Sequence, residues 1–378
     1  MKVVNFEKKN QIQPLFLGES LGVQKYLSPQ HPKLEALTVR QMEYFWRPER
    51  HAANIAQDNL DYPNLTESER HVFLSNIQYQ IVLDTIQGRA IIPALMPFVS
   101  CDELESCITA WQFFENIHSR SYSFILKNVL PQPEDVFDGI DKVQEIIARS
   151  NDICSQYEEL ITYANEYTQL RGFDAGNYVF DSNTLDTLKT SIYLTLISIN
   201  ILEGVRFYTS FACSFALAEN NKMLGTGKIL SEIARDEAVH LNITQYLLNT
   251  LNSDKDWQHI TQSPQVRSQV ESMYRSAVQQ EEDWAKYLFS KGCLLGLNEA
   301  ILSEFIKWIC NTRTKAIGYG ELYPESKSNP ITWILRHLGG AETQSALQET
   351  VTNTYLEGGG LDLTKPLDFS SKKRKFSL

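Results

Sequence analysis

Two segments of the chain carry Glu-x-x-His: Glu115-Asn-Ile-His118 and Glu237-Ala-Val-His240. At about 3.6 residues per helical turn, residues three apart lie on one face. Read as helices, each segment offers a carboxylate and an imidazole to one point in space. Both pairs can be used together only where long helices turn their faces to a shared interior. That requirement points to an all-α bundle. Tyr122 follows His118 by four positions on the same face. Seven steps of about 100° bring it back to within about 20° of Glu115 on the helical wheel.

Two further carboxylates stand where a lone charge would be costly. Asp84 shares an apolar helical stripe with Ile77, Ile81 and Gly88. Glu203 sits in the apolar stretch 190–218, where the only other charge is Arg206. Four helices then supply Asp84; Glu115 and His118; Glu203; and Glu237 and His240. Four carboxylates and two imidazoles form a ligand set for two divalent metals, with charges that cancel. This is the dinuclear site of a ferritin-like four-helix bundle. Mixed carboxylate and imidazole donors suit iron or manganese better than thiolate-preferring metals. The competing reading is a set of buried ion pairs, Glu203 with Arg206 and Arg235 with Asp236 or Glu237. Phe207, Phe211 and Ile233, at helical spacing from the ligands, would line an apolar pocket beside the metals.

Composition narrows the function classes. The 378 residues carry a formal net charge of -11, which argues against a nucleic-acid partner. None of the six cysteines forms a C-x-x-C pair, so thiolate zinc sites and dithiol redox motifs are not expected. The N-terminal residues lack the apolar stretch of a secretory signal, and the expected location is cytoplasmic. The stretch 190–218 is long enough to span a membrane, but its two charges favour a helix buried in a large bundle.

The chain divides into an irregular arm (1–30), a helical body (31–338) and a polar tail (339–378). Helices are predicted over 32–46, 102–129, 141–169, 185–219, 228–249, 265–290 and 298–317. Another opens at the capping-box pattern Thr66-Glu-Ser-Glu69 and is expected to break at Gly88 and Ile91-Ile-Pro93. Gly225 and Gly227 read as a turn, and 171–182 as a loop or small hairpin. The tail contains Gly358-Gly-Gly360 and the basic run Lys372-Lys-Arg-Lys375. It has too little apolar content to pack by itself.

Phe45-Trp-Arg-Pro-Glu49, Leu83-Asp-Thr-Ile-Gln-Gly-Arg89, Phe114-Glu-Asn-Ile-His-Ser-Arg-Ser-Tyr122, Glu203-Gly-Val-Arg-Phe-Tyr208 and Ile233-Ala-Arg-Asp-Glu-Ala-Val-His240 occur in this order. Together they resemble the small (beta) subunit of class I ribonucleotide reductase, over most of residues 40–335. The resemblance implies two iron ions per chain, with manganese as the alternative, held by Asp84, Glu115, His118, Glu203, Glu237 and His240. It implies that O2 is used to form a stable radical on Tyr122. Trp46 and Asp236 would connect the site to the surface, and Tyr355 in the tail would relay the radical to the large (alpha) subunit. That subunit would bind and reduce the ribonucleotide. The resemblance also implies a homodimer. The basic run departs from the acidic tails common in this family, although Phe376 and Leu378 keep the apolar end. A di-metal oxygenase or desaturase, and ferritin-like iron storage, are the competing functions.

Overall fold

The computed structural model of the protein describes residues 3–6, 13–173 and 181–338. Twelve α-helices lie among them: α1 (Pro32–Glu43), α2 (Ala52–Asp61), α3 (Glu67–Leu95), α4 (Asp102–Val129), α5 (Glu134–Phe137), α6 (Gln144–Phe173), α7 (Ser182–Ile201), α8 (Phe207–Glu219), α9 (Leu224–Ser253), α10 (Lys255–Thr261), α11 (Pro264–Leu288) and α12 (Glu299–Ala316). The described residues form no strand beyond isolated bridges, one of them pairing Phe16 of the arm with Val99.

Local chemistry starts most of the helices. Thr66 accepts from the Glu69 amide while the Glu69 side chain accepts from the Thr66 amide, so the capping box opens α3. Asp181, Ser263 and Asn298 cap α7, α11 and α12 with their side chains. Helices α3, α4, α8 and α9 pack side by side, with α6 against α3 and α7, and α12 against α8 and α11. The apolar stretch from α7 to α8 lies inside this arrangement, with 89% of its most apolar window buried. Its hydrophobicity therefore fills a bundle core, as the sequence predicts.

Two expectations fail, both at glycines. The helix expected to break at Gly88 runs on to Leu95, with Pro93 in its last turn. A Cβ at Gly88 would lie 3.2 Å from the Glu115 Cβ, so this glycine serves close approach of α3 to α4. The expected turn at Gly225 and Gly227 is instead the first turn of α9. A Cβ at Gly225 would stand 2.5 Å from the Asn54 backbone carbon, so a side chain there would force α2 and α9 apart. The cap of α9 comes from another helix. Asp58 of α2 accepts from the amides of Gly225 (2.8 Å) and Thr226 (2.6 Å) and from the Thr226 hydroxyl (2.7 Å). A carboxylate there satisfies orphan N–H groups and complements the positive end of the helix.

The helix predicted over 185–219 runs without a break from Ser182 to Glu219, with a wide π turn, Leu202–Arg206, inside it. The reading of 171–182 as loop or hairpin falls largely outside the described residues, and the tail reading falls wholly outside them. Asp58→Ala removes three buried hydrogen bonds at the start of α9. It should destabilise the protein by about 1–3 kcal/mol or more, read as a lower urea midpoint. An unchanged midpoint would show that α9 starts without its help.

Candidate metal centre

Asp84 comes from α3, Glu115 and His118 from α4, Glu203 from the π turn, and Glu237 and His240 from α9. All six side chains have 0% exposure. They form two overlapping sets, Asp84, Glu115, His118 and Glu237, and Glu115, Glu203, Glu237 and His240, with the donor atoms of each set within 4.8 Å of one another. Glu115 and Glu237 belong to both sets and so stand where bridging ligands would. His118 Nδ1 lies 3.1 Å from Glu237 Oε1, 3.6 Å from Glu115 Oε2 and 3.9 Å from Asp84 Oδ2. His240 Nδ1 lies 2.9 Å from Glu237 Oε2 and 3.1 Å from Glu115 Oε1.

The donor set fits a metal pair. Both Asp84 oxygens, Glu115 Oε2, Glu203 Oε2 and Glu237 Oε1 are buried without a hydrogen-bond partner among the described residues. Orphaned carboxylate oxygens in a core are costly unless a cation meets them. Burial, and then the charge of Glu115, pushes the Asp84 carboxyl well above its usual range. Burial and the charge of Glu237 do the same to Glu203. Two divalent cations would supply the missing positive charge and occupy the free oxygens.

The ion-pair alternative does not describe Glu203. Arg206 turns away from it to Glu281 (3.0 Å) and Gln280 (2.7 Å). Arg235 does approach Asp236, at 3.5 Å, but its closer carboxylate is Glu232, at 2.7 Å. The π turn widens the helix at the position that carries Glu203. Such turns are frequent at functional sites.

A layer of hydrogen bonds orients the donors. His118 Nε2 is 3.2 Å from Asp236 Oδ2, and Trp46 Nε1 donates to the same oxygen at 2.6 Å. With its Nδ1 turned to the carboxylates, His118 is assigned its proton on Nε2. Trp111 Nε1 donates to Glu115 Oε1 at 2.8 Å, and its ring stacks on His240 with centroids 5.0 Å apart. Gln87 Nε2 donates to Glu203 Oε1 at 2.8 Å, and the Tyr157 hydroxyl donates to Gln87 Oε1. Sequence reasoning missed Trp111, Gln87 and Tyr157. Trp111 stands four residues before Glu115 and Gln87 three after Asp84, so helical spacing held a signal for both. Tyr157 comes from α6, and no spacing connects it to the site.

Tyr122 is fully buried, and its hydroxyl lies beside Asp84 without hydrogen-bond geometry to any described residue. Burial, and then the charge of Asp84, raises its pKa well above 10, so the phenol keeps its proton. Phe207, Phe211 and Ile233 are all fully buried, and the two phenyl rings stack with centroids 5.8 Å apart. Tyr355 lies outside the described residues.

A helical bundle that buries two overlapping sets of carboxylate and imidazole donors is the arrangement of the ferritin-like class, with residues that could hold a pair of metals. The family model "Ribonucleotide reductase, small chain" matches residues 24–330. The chain is 43% identical, over 95% of its length and 96% of the relative's, to the ribonucleoside-diphosphate reductase subunit beta of Buchnera aphidicola subsp. Schizaphis graminum. It is 42% identical to the Haemophilus influenzae subunit beta, over 92% of both chains. Among solved structures, the ribonucleotide reductase R2 subunit from Clostridium botulinum superposes with a TM-score of 0.75 at 25% identity, covering 89% of this chain and 98% of that one. The chain belongs to the ribonucleotide reductase small-chain family.

The two overlapping sets make a graded prediction. Glu237→Ala removes a donor from both sets and should abolish binding of most of the metal. Asp84→Ala removes a donor from one set and should leave about one metal per chain. Metal analysis after anaerobic loading and desalting checks this, and equal losses in both variants would contradict the shared position of Glu237.

Proposed function

We propose that the six donors hold two iron ions per chain, that O2 is the oxidant, and that Tyr122 carries the radical handed to the large subunit for ribonucleotide reduction. Manganese meets the same donors and is the alternative metal. The observation that carries the reading is the burial of Tyr122 against Asp84, a member of one donor set, while His118 of that set leads outward through Asp236 to Trp46.

When bound, the metal pair supplies the oxidising equivalent, drawn from O2, that takes one electron from Tyr122. The rest is the work of this chain. Tyr122 is held neutral and dry, so its electron and proton leave together, the proton toward the Asp84 carboxylate beside it. Phe207 and Phe211 belong to the same buried core as Tyr122 and would help keep water from it. His118 and Trp46 share one oxygen of Asp236, which joins the buried site to a second oxidisable ring.

Membership of the small-chain family implies a large-subunit partner. The body 31–338 would hold the radical, and the tail 339–378, with Tyr355, would dock on that partner. A homodimer and a cytoplasmic location complete the proposal.

Anaerobic loading with ferrous iron followed by O2 should give an organic radical by electron paramagnetic resonance. Tyr122→Phe should keep the metal content and lose that signal, because only a hydroxyl is removed. A wild-type spectrum in the variant would place the radical elsewhere. Tyr355→Phe should keep both the metal and the Tyr122 radical yet fail to reduce nucleotide with the large subunit. Full turnover would take Tyr355 out of the relay.

A further inference from the structure

Trp46 has only 2% of its surface exposed, so it cannot itself meet a partner protein. An electron that reaches Trp46 from a partner crosses the intervening protein, and an oxidisable residue nearer the surface would divide that distance. Two residues before Trp46 stands a phenol, Tyr44, with arginines against its ring. Tyr44 is the C-terminal cap of α1 and is half-buried. Its ring is flanked by two guanidiniums, with the Arg235 carbon 4.3 Å and the Arg40 carbon 5.4 Å from its centroid.

The polar contacts tie Tyr44 to the same carboxylate that serves Trp46. Arg235 Nη2 donates to the Tyr44 carbonyl at 2.9 Å and lies 3.5 Å from Asp236 Oδ1. The other Asp236 oxygen, Oδ2, accepts from Trp46 and faces His118. One carboxylate thus joins Trp46 and His118 on one oxygen and, through Arg235, Tyr44 on the other. Arg40 Nε donates to the Tyr44 hydroxyl at 3.0 Å, so the phenol oxygen is already engaged as an acceptor and its hydrogen is free to be donated.

We propose that Tyr44 is a further relay residue, oxidised reversibly between Trp46 and the large-subunit side of the complex. This rests on the reading of His118, Asp236 and Trp46 as the way out of the metal centre. Two guanidiniums against the ring make a ring cation costly, because the face that attracts them is electron-rich only while the ring is neutral. Tyr44 therefore gives up its electron and its hydroxyl proton in one step. Trp46, one electron short as the ring cation and with its Nε1 proton still hydrogen-bonded to Asp236, takes that electron from Tyr44. The Tyr44 proton passes to water. The tryptophan is restored, a neutral tyrosyl radical replaces it, and no outside oxidant is consumed. The reverse step returns the radical inward.

The test uses the metal-loaded full chain with its large subunit and nucleotide. Tyr44→Phe keeps the ring and the guanidinium stack and removes only the oxidisable hydroxyl. Turnover should fall about tenfold or more, with metal content, Tyr122 radical yield and affinity for the large subunit unchanged. A structural role would not move the second readout: 3-aminotyrosine placed at position 44 should trap an aminotyrosyl radical, seen by electron paramagnetic resonance, when nucleotide is added. Wild-type turnover in Tyr44→Phe overturns the proposal. So does the absence of a trapped radical at position 44, including where Tyr44→Phe has lost affinity for its partner. Trp46→Phe separates the two layers. If Trp46→Phe is inactive and Tyr44→Phe active, only the role of Tyr44 falls. If Trp46→Phe turns over fully, the exit route itself is wrong.

Discussion

Four carboxylates share a core that water does not reach, and the rest of the molecule is arranged around that concentration of negative charge. An isolated ionised carboxylate in such surroundings would neutralise itself or unfold the site. Here Asp84, Glu115, Glu203 and Glu237 converge with two imidazoles and leave several oxygens without hydrogen-bond partners among the described residues. The protein supplies the negative half of a charge balance whose positive half a metal pair would provide. Long helices suit this task, because their own backbone groups are satisfied internally and their side chains can be devoted to the site.

The two sides of the cluster have different surroundings. On the His118 side, the second ring nitrogen meets Asp236, and the hydrogen bonds continue to Trp46. On the His240 side, Nε2 has no hydrogen-bond partner among the described residues and the ring is covered by Trp111. Gln87 and Tyr157 hold Glu203 in place on that side, and both are buried. Polar continuity toward the surface therefore runs through His118. Among the described residues, an oxidant formed inside would meet this path outward and not equal access from every direction.

Much of this centre is legible in the amino-acid sequence. The ligand pairs are local, so helical spacing alone places Glu115 with His118 and Glu237 with His240. Asp84 and Glu203 are legible as charges out of place in apolar helices. The features that escape the sequence are those that depend on what packs where. Gly88 looks like a helix breaker until α4 is laid against it, when the space it leaves is filled by Glu115. The π turn at Glu203 adds a residue to a turn without any change in composition. Tyr157 reaches the site from a helix whose sequence carries no sign of the metals. The assignment of Trp46, Asp236 and Tyr355 to a relay comes from the family resemblance and not from periodicity.

Asp58 and Gly225 fix where α9 begins, and that start sets more than stability. Glu237 and His240 lie thirteen residues and more along the same helix, about 20 Å from the cap. Each residue of slip in the helix start would rotate every later side chain by about 100° and advance it by about 1.5 Å. The ligands would then face a neighbouring helix instead of the metals. Asp58 lies remote from the donor cluster, yet it acts as the datum from which the angular position of Glu237, one of the two donors common to both sets, is measured. A defect there would be read at the far end of the helix as faulty coordination, so a loss of metal does not by itself locate its cause at the metal site.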